Sequence, residues 1–287
     1  MMTMLLRRML VASLFVFLVV SNGVAKETCK AIYGQTDKVF TLATGSPGEL
    51  GLLEELANAF NLAHGTSMCW RKAGSGKSLA LLKNKEVDIV MVHAPAAEKQ
   101  AVLDGWAIKR SLIGSNEFYI VGPKDDRAGI AKATSAADAY KMIAEKKASF
   151  LSRGDNSGTN KKELRIWKSA GIAPEGKWYV ITKDFMMATL KKANEIGGYF
   201  MTDSSTWVAG QKDLENLKIL FKGDPVLINT YHGLCQPKGS TQGQEAAEQF
   251  IDFLGSEAGQ EIVRTYGESA HGAPMYNDAE YAKQYDH

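Results

Sequence analysis

Neither sign of charge is in excess in this sequence: 34 Lys and Arg stand against 32 Asp and Glu, for a formal net charge of +2. Without a basic field there is nothing to attract nucleic acid or an anionic membrane, and no nucleic-acid partner is expected. Cysteine is scarce, at three residues, and the three cysteines and five histidines form no CxxC, no HExxH and no His/Cys cluster. Neither a metal nor a cofactor is therefore expected. Catalytic signatures are missing too. No serine sits in GxSxG and no histidine is paired locally with a serine or cysteine as in a triad, so the chain is not expected to be an enzyme. One stretch, "RKAGSGKS" at 71–78, ends as a nucleotide-binding P-loop does, but Arg71 occupies the position where a Walker A loop needs its first glycine.

What is present begins with residues 1–25. Arg7 and Arg8 precede an apolar run from Met9 to Val20, followed by small residues ending in Ala25. This pattern predicts a secretory signal cleaved after Ala25, too short for a stable membrane span, and so a soluble periplasmic protein. Removing it leaves 32 residues of each sign, a neutral mature chain. In an oxidising compartment one pair among Cys29, Cys69 and Cys235 is expected to bridge. Cys29 and Cys69 both lie near the start of early strands, which favours that pair, but the spacing leaves the alternatives open.

Roughly 260 mature residues exceed the usual size of one domain, and two lobes are expected. The strand-like "KVFTLATG", "SMCWRKAG" and "VDIVMVHA" alternate with helical "GELGLLEELANAFNLAHG" and "KSLALLKNK". A second series runs from "ASFLSRG" through "TNKKELRIWKSAG", "KWYVIT" and "DFMMATLKKANEIGG" to "YFMTD". Such alternation predicts an α/β fold with mostly parallel sheets flanked by helices. Two extended runs, "EFYIVGPKDDRAG" and "PVLINTYHGLCQPKG", flank the middle unit as crossing strands would. Lobe one is thus expected at 38–123 plus 231–282, and lobe two at 124–230.

Three strand-to-helix junctions combine glycine with hydroxyls: "ATGSPGELGLL", "KAGSGKSLALL" and "SRGDNSGTNKKEL". In α/β sheets ligands sit beyond the carboxyl ends of the strands, facing helix N-termini that favour anions. Two junctions fall in lobe one and one in lobe two, which would place an anion in the cleft between them. The candidate ligand-binding residues are Thr44, Gly45, Ser46, Ser75, Gly76, Lys77, Arg153, Ser157 and Thr159. Arg153 supplies a permanently charged fork suited to an oxyanion, with Asp155 beside it to orient it. Blander roles compete. Ser46 and Glu49 have the spacing of a capping box with Pro47 at the first helical position. Gly74 and Gly76 would also suit a plain turn with Lys77 in solvent. His93 reads as a core or rim histidine, and the five tryptophans as packing residues.

With these loops in view, the chain resembles the tungstate-binding receptors of bacterial ABC transporters, a branch of the two-lobed periplasmic solute-binding proteins of type II. "VHAP", "VGPKDD" and "SRGDNSGT", in that order, carry the resemblance, which covers nearly all the mature chain. It implies a receptor that closes on a small tetrahedral oxyanion, tungstate or molybdate, works as a monomer and delivers to a permease in the inner membrane. Thr44, Ser46, Ser75, Arg153 and Thr159 would be its donors. Some positions depart from the family's pattern. Hydroxyls are missing at Gly45, Pro47 and Leu50, Lys77 stands where a neutral Gln is expected, and Asn160 where His is. Phe185 and Met186 replace a glycine-rich turn. Two other classes are a receptor-like domain that feeds a sensor or cofactor pathway, and a periplasmic phosphate-ester hydrolase, which lacks a nucleophile–base pair.

Overall fold

The computed structural model describes residues 29–286, so the expected signal segment, 1–25, lies outside the described residues. Its strands are β1 (Ala31–Tyr33), β2 (Val39–Thr44), β3 (Ser67–Lys72), β4 (Ile89–Val92), β5 (Ile108–Pro123), β6 (Phe150–Ser152), β7 (Tyr179–Ile181), β8 (Tyr199–Asp203), β9 (Leu217–Phe221), β10 (Ile228–Cys235) and β11 (Asn277–Asp278). They follow one path, β1-β3-β2-β4-β10-β5-β8-β6-β7, with β9 and β11 on β5. The long β5 belongs to two sheets. Its first part pairs with β10 and β11, and from Phe118 onward it pairs with β8 and β9. This is a two-lobed α/β fold in which β5 passes from one sheet into the other.

The inner strands are parallel, β3-β2-β4 in the first sheet and β7-β6-β8 in the second. The strands nearest the junction run the other way: β10 is antiparallel to both β4 and β5, and β5 to β8. The cause is the path of the chain, since an outgoing strand and the one that returns beside it run in opposite directions. The seams also shift. β1, before residue 38, pairs with β3, and β5 changes sheets between Glu117 and Phe118, before the boundary expected at 123.

Each sheet has its own core. β4 is buried at every residue, as a parallel strand covered on both faces must be. On one face the helices Leu52–His64 and Gln244–Gly255 contribute Leu53, Leu56, Phe60, Phe250 and Ile251. On the other, helix Ser75–Lys83 contributes Leu79 and Leu82. In the second sheet Tyr140, Phe150 and Trp167 meet with ring centroids 4.4 to 5.1 Å apart. Burying each such side chain stabilises the fold by roughly 1.5–3 kcal/mol. Trp70 and Trp167 are core residues, whereas Trp106, Trp178 and Trp207 are half-buried.

The helices are punctuated by local chemistry. Ser135, Ser157 and Ser256 cap three of them, each accepting from an N–H three residues on. Gly65 and Gly197 end two others in the left-handed conformation that glycine adopts without strain. A disulfide, Cys29–Cys69, ties the segment before β1 to β3, while Cys235 is a buried free thiol. Among the described residues no helix is long and apolar enough to cross a membrane.

Candidate functional site

The carboxyl ends of β2, β3, β4 and β6 point to one place. Residues following each of them, with Phe185 after β7 and Tyr231 on β10, line one small cavity. Its walls include Gly45, Ser46, Gly74, Ser75 and His93 from the first lobe and Arg153, Ser157 and Phe185 from the second. A wider groove lies at the opposite ends of β2 and β4, between Val39, Arg71, Asp88 and Thr241; it reaches Gly243, the N-cap of helix Gln244–Gly255, but draws on one lobe only. The converging donors mark the smaller cavity as the candidate site.

Donor capacity in this cavity can be counted group by group. Helix Ser75–Lys83 has Gly74 at its N-cap and no side-chain cap at its N-terminus. Ser75 Oγ accepts from the His93 N–H at 3.2 Å, which leaves its own proton for a ligand. Ser157 Oγ accepts from the Asn160 N–H at 3.3 Å and is likewise free to donate. The competing capping-box role of Ser46 is not realised. Gly45 is the N-cap of the short helix Ser46–Glu49, with no side-chain cap, and Glu49 instead meets Lys72 at 2.5 Å.

Arg153 is 4% exposed. Its Nη2 donates to Asp155 Oδ2 at 2.5 Å and its Nε to the Asp184 carbonyl at 3.2 Å, which fixes the guanidinium beside the cavity. The loop that carries it is anchored from below by Glu163, a buried carboxylate that accepts from Ser152 Oγ (2.7 Å), Tyr179 Oη (2.6 Å) and Trp167 Nε1 (3.1 Å). Burial pushes the Glu163 carboxyl up, and these hydrogen bonds oppose it. Asn160 completes the scaffold, accepting from the Asn156 N–H at 3.2 Å.

Four predicted residues lie elsewhere or do something else. Thr44 lines the cavity, but its hydroxyl donates to the Met91 carbonyl at 2.8 Å; with one proton per hydroxyl, it is not the donor expected. Lys77 is exposed and outside the lining, because two residues beyond Ser75 the helix has turned by about 200°, away from the cleft. Thr159 is buried and also outside the lining, and its Oγ1 has no hydrogen-bond partner. Gly76 lies outside the lining as well, packed against Asn156 of the other lobe, where an added Cβ would come within 2.4 Å of the carbonyl oxygen.

Other lining residues were not foreseen as ligand-binding. His93, Phe185 and Tyr231 all face the cavity. Two of them stand at strand-to-helix junctions like the three recognised ones: His93 precedes helix Pro95–Leu103, and Phe185 caps helix Met186–Ile196. That placement was the available signal. Phe185 also bridges the lobes, its ring taking Lys72 Nζ at 3.9 Å and Arg153 Cζ at 5.5 Å. Tyr231, on β10, had no such signal. Burial, then the Asp203 charge, hold its phenol well above the ordinary value, so it remains a neutral O–H group.

Comparison with known proteins gives a consistent picture. The PBP superfamily domain matches residues 30–258. The tungstate-binding protein TupA of Peptoclostridium acidaminophilum is 34% identical over 242 residues, covering 83% of this chain and 84% of that protein. A putative ABC transporter anion-binding protein of Haloferax volcanii is 34% identical over 249 residues, 85% of this chain and 72% of its own. The solved structure described as the tungstate ABC transporter from Geobacter sulfurreducens has a TM-score of 0.73 at 36% identity, covering 81% of this chain and 100% of that one.

Proposed function

This chain belongs to the PBP superfamily, in the family of tungstate-binding receptors of ABC transporters, and on that premise we propose that it binds a small tetrahedral oxyanion, tungstate or molybdate, in the cavity between its lobes. The observation that carries this reading is the meeting of Ser46 and Ser75 from one lobe with Arg153 and Ser157 from the other around one small space. Donors on both sides bind the anion best when the lobes are together, so the ligand favours the closed state. The ligand-bound form then docks on a permease in the inner membrane and releases the anion there, without any turnover. Residues 1–25 direct export to the periplasm, where the protein works as a monomer.

Isothermal titration calorimetry of the purified mature protein with tungstate, molybdate, sulfate and phosphate tests this. Tungstate or molybdate should bind at one site per chain and at least tenfold more tightly than sulfate or phosphate. Arg153→Ala should weaken binding by about 1.5–3 kcal/mol, the worth of a charge-assisted hydrogen bond, or roughly ten- to a hundredfold. Its circular dichroism should be unchanged. Wild-type affinity in that variant would remove lobe two from the site, and binding of none of the four anions would end the receptor reading.

A further inference from the structure

The polar group in the cavity wall that fits a bare anion least well is the His93 imidazole. Its state can be worked out from a relay of buried side chains. Asp203, as a carboxylate, only accepts, taking hydrogen bonds from Ser205 Oγ, the Thr206 N–H and Thr206 Oγ1. Ser205 has one proton and gives it to Asp203, so its oxygen must accept from Asn116 Nδ2 at 3.0 Å. Asn116 therefore presents its carbonyl to Asn229 Nδ2, at 2.9 Å, and Asn229 presents its own carbonyl to His93 Nδ1, at 2.8 Å. The His93 Nδ1 must then carry a proton. The same edge of the ring is overlaid by Gly158, where an added Cβ would lie 2.4 Å from Cε1 and 2.5 Å from Nδ1. Nε2 is the remaining polar atom of this cavity-lining ring, and the bond to Asn229 is the ring's one side-chain hydrogen bond among the described residues.

Burial, with Arg153 and Lys162 adding to it against the Asn229 hydrogen bond, lowers the His93 pKa to about 3. The ring is thus neutral and its Nε2 carries a lone pair. A lone pair turned towards a dianion repels it, and the charges around the cavity offset only part of the dianion's charge. The Arg153 cation is paired with Asp155, and Lys162, one turn into helix Gly158–Ser169, is itself lowered to about 7 by burial and by Arg165. The other groups against the ring are uncharged: Tyr231 on β10, Phe118 on β5, and Ser75, whose hydroxyl accepts from the His93 backbone. A dianion in this space needs a proton more than it needs another lone pair.

The geometry points to His93 as the proton site of the receptor: the anion is taken up together with one proton, which sits between His93 Nε2 and an anion oxygen. The Nε2–H bond forms as a solvent proton is captured, and the charge to be enclosed falls by one unit. The inference rests on the oxyanion reading above and deepens it, by making His93 a residue that selects oxyanions able to share a proton.

Calorimetry at pH 8, where tungstate is a dianion, in Tris and in HEPES, whose ionisation enthalpies differ, reads the number of protons taken up. About one proton per tungstate is expected, with Kd rising about tenfold per pH unit over the range in which uptake is complete. His93→Gln should reduce the uptake to near zero and flatten the pH dependence. Wild-type binding with no proton uptake overturns the inference while leaving the receptor reading intact, and uptake that persists in the variant overturns the assignment to His93. Should the variant not fold, the ¹⁵N chemical shift of Nε2 in the wild-type protein decides. It must move from the bare to the protonated range on adding tungstate, and a shift that stays bare overturns the proposal. Failure of tungstate to bind at all is the separate failure of the receptor reading.

Discussion

Thr44 shows how a residue can line a site without serving it as expected. Its side chain is at the cavity, yet the hydroxyl proton is committed to the Met91 carbonyl, which steadies the ends of β2 and β4. Thr44→Val should therefore leave tungstate affinity within about threefold of wild type. It should cost about 1–3 kcal/mol of stability in urea titration, because the variant buries an unpaired carbonyl. A loss of affinity beyond tenfold with unchanged stability would show instead that the hydroxyl contacts the ligand. Ser75 and Ser157 are the opposite case. Each accepts a backbone hydrogen bond and keeps its proton, so the hydroxyl is oriented in advance and available. Arg153 is likewise oriented before any ligand arrives, by Asp155 and the Asp184 carbonyl.

Among the elements, the strand-to-helix junctions set the shape of the cleft, and glycine decides how closely they approach. Gly158 opens helix Gly158–Ser169 against the first lobe, where a methyl group would come within 2.4 Å of His93 Cε1. Such overlap costs about 1–3 kcal/mol where neighbours must shift, and here it arises only when the lobes are together. Gly158→Ala is accordingly expected to weaken tungstate binding by roughly ten- to a hundredfold, while the melting temperature of the ligand-free protein stays the same. A matching fall in ligand-free stability would mean that the glycine serves the fold of its own lobe. The strands that carry these junctions were readable from sequence because short apolar runs bounded by glycine and hydroxyl residues are local signals. β1 and β9 were not recognised, and β5 was recognised only in its second part: pairing with strands far along the chain decides their state, and no local pattern reports it.

At the scale of the whole molecule, two lobes with separate cores are joined by few connections, and their meeting surface is the site itself. Relative motion of the lobes leaves both cores intact, the condition under which a ligand of modest size can shift the balance between open and closed forms. The disulfide acts within one lobe only. Closing a loop of 40 residues, Cys29–Cys69 is expected to contribute about 2–4 kcal/mol, seen as a lower urea midpoint in Cys29→Ser, Cys69→Ser, with tungstate stoichiometry still one per chain. Unchanged stability would show that the bridge only tethers the segment before β1. The α/β alternation, the three glycine–hydroxyl junctions and the placing of Arg153 at one of them were legible in the residue order alone, because periodicity, turn chemistry and helix starts are written within a few residues. Only the tertiary structure decided that His93, Phe185 and Tyr231 share that cavity, that Thr44 donates elsewhere and that Lys77 turns outward. These depend on which groups from distant segments come within hydrogen-bonding reach, and no short stretch of chain contains that information.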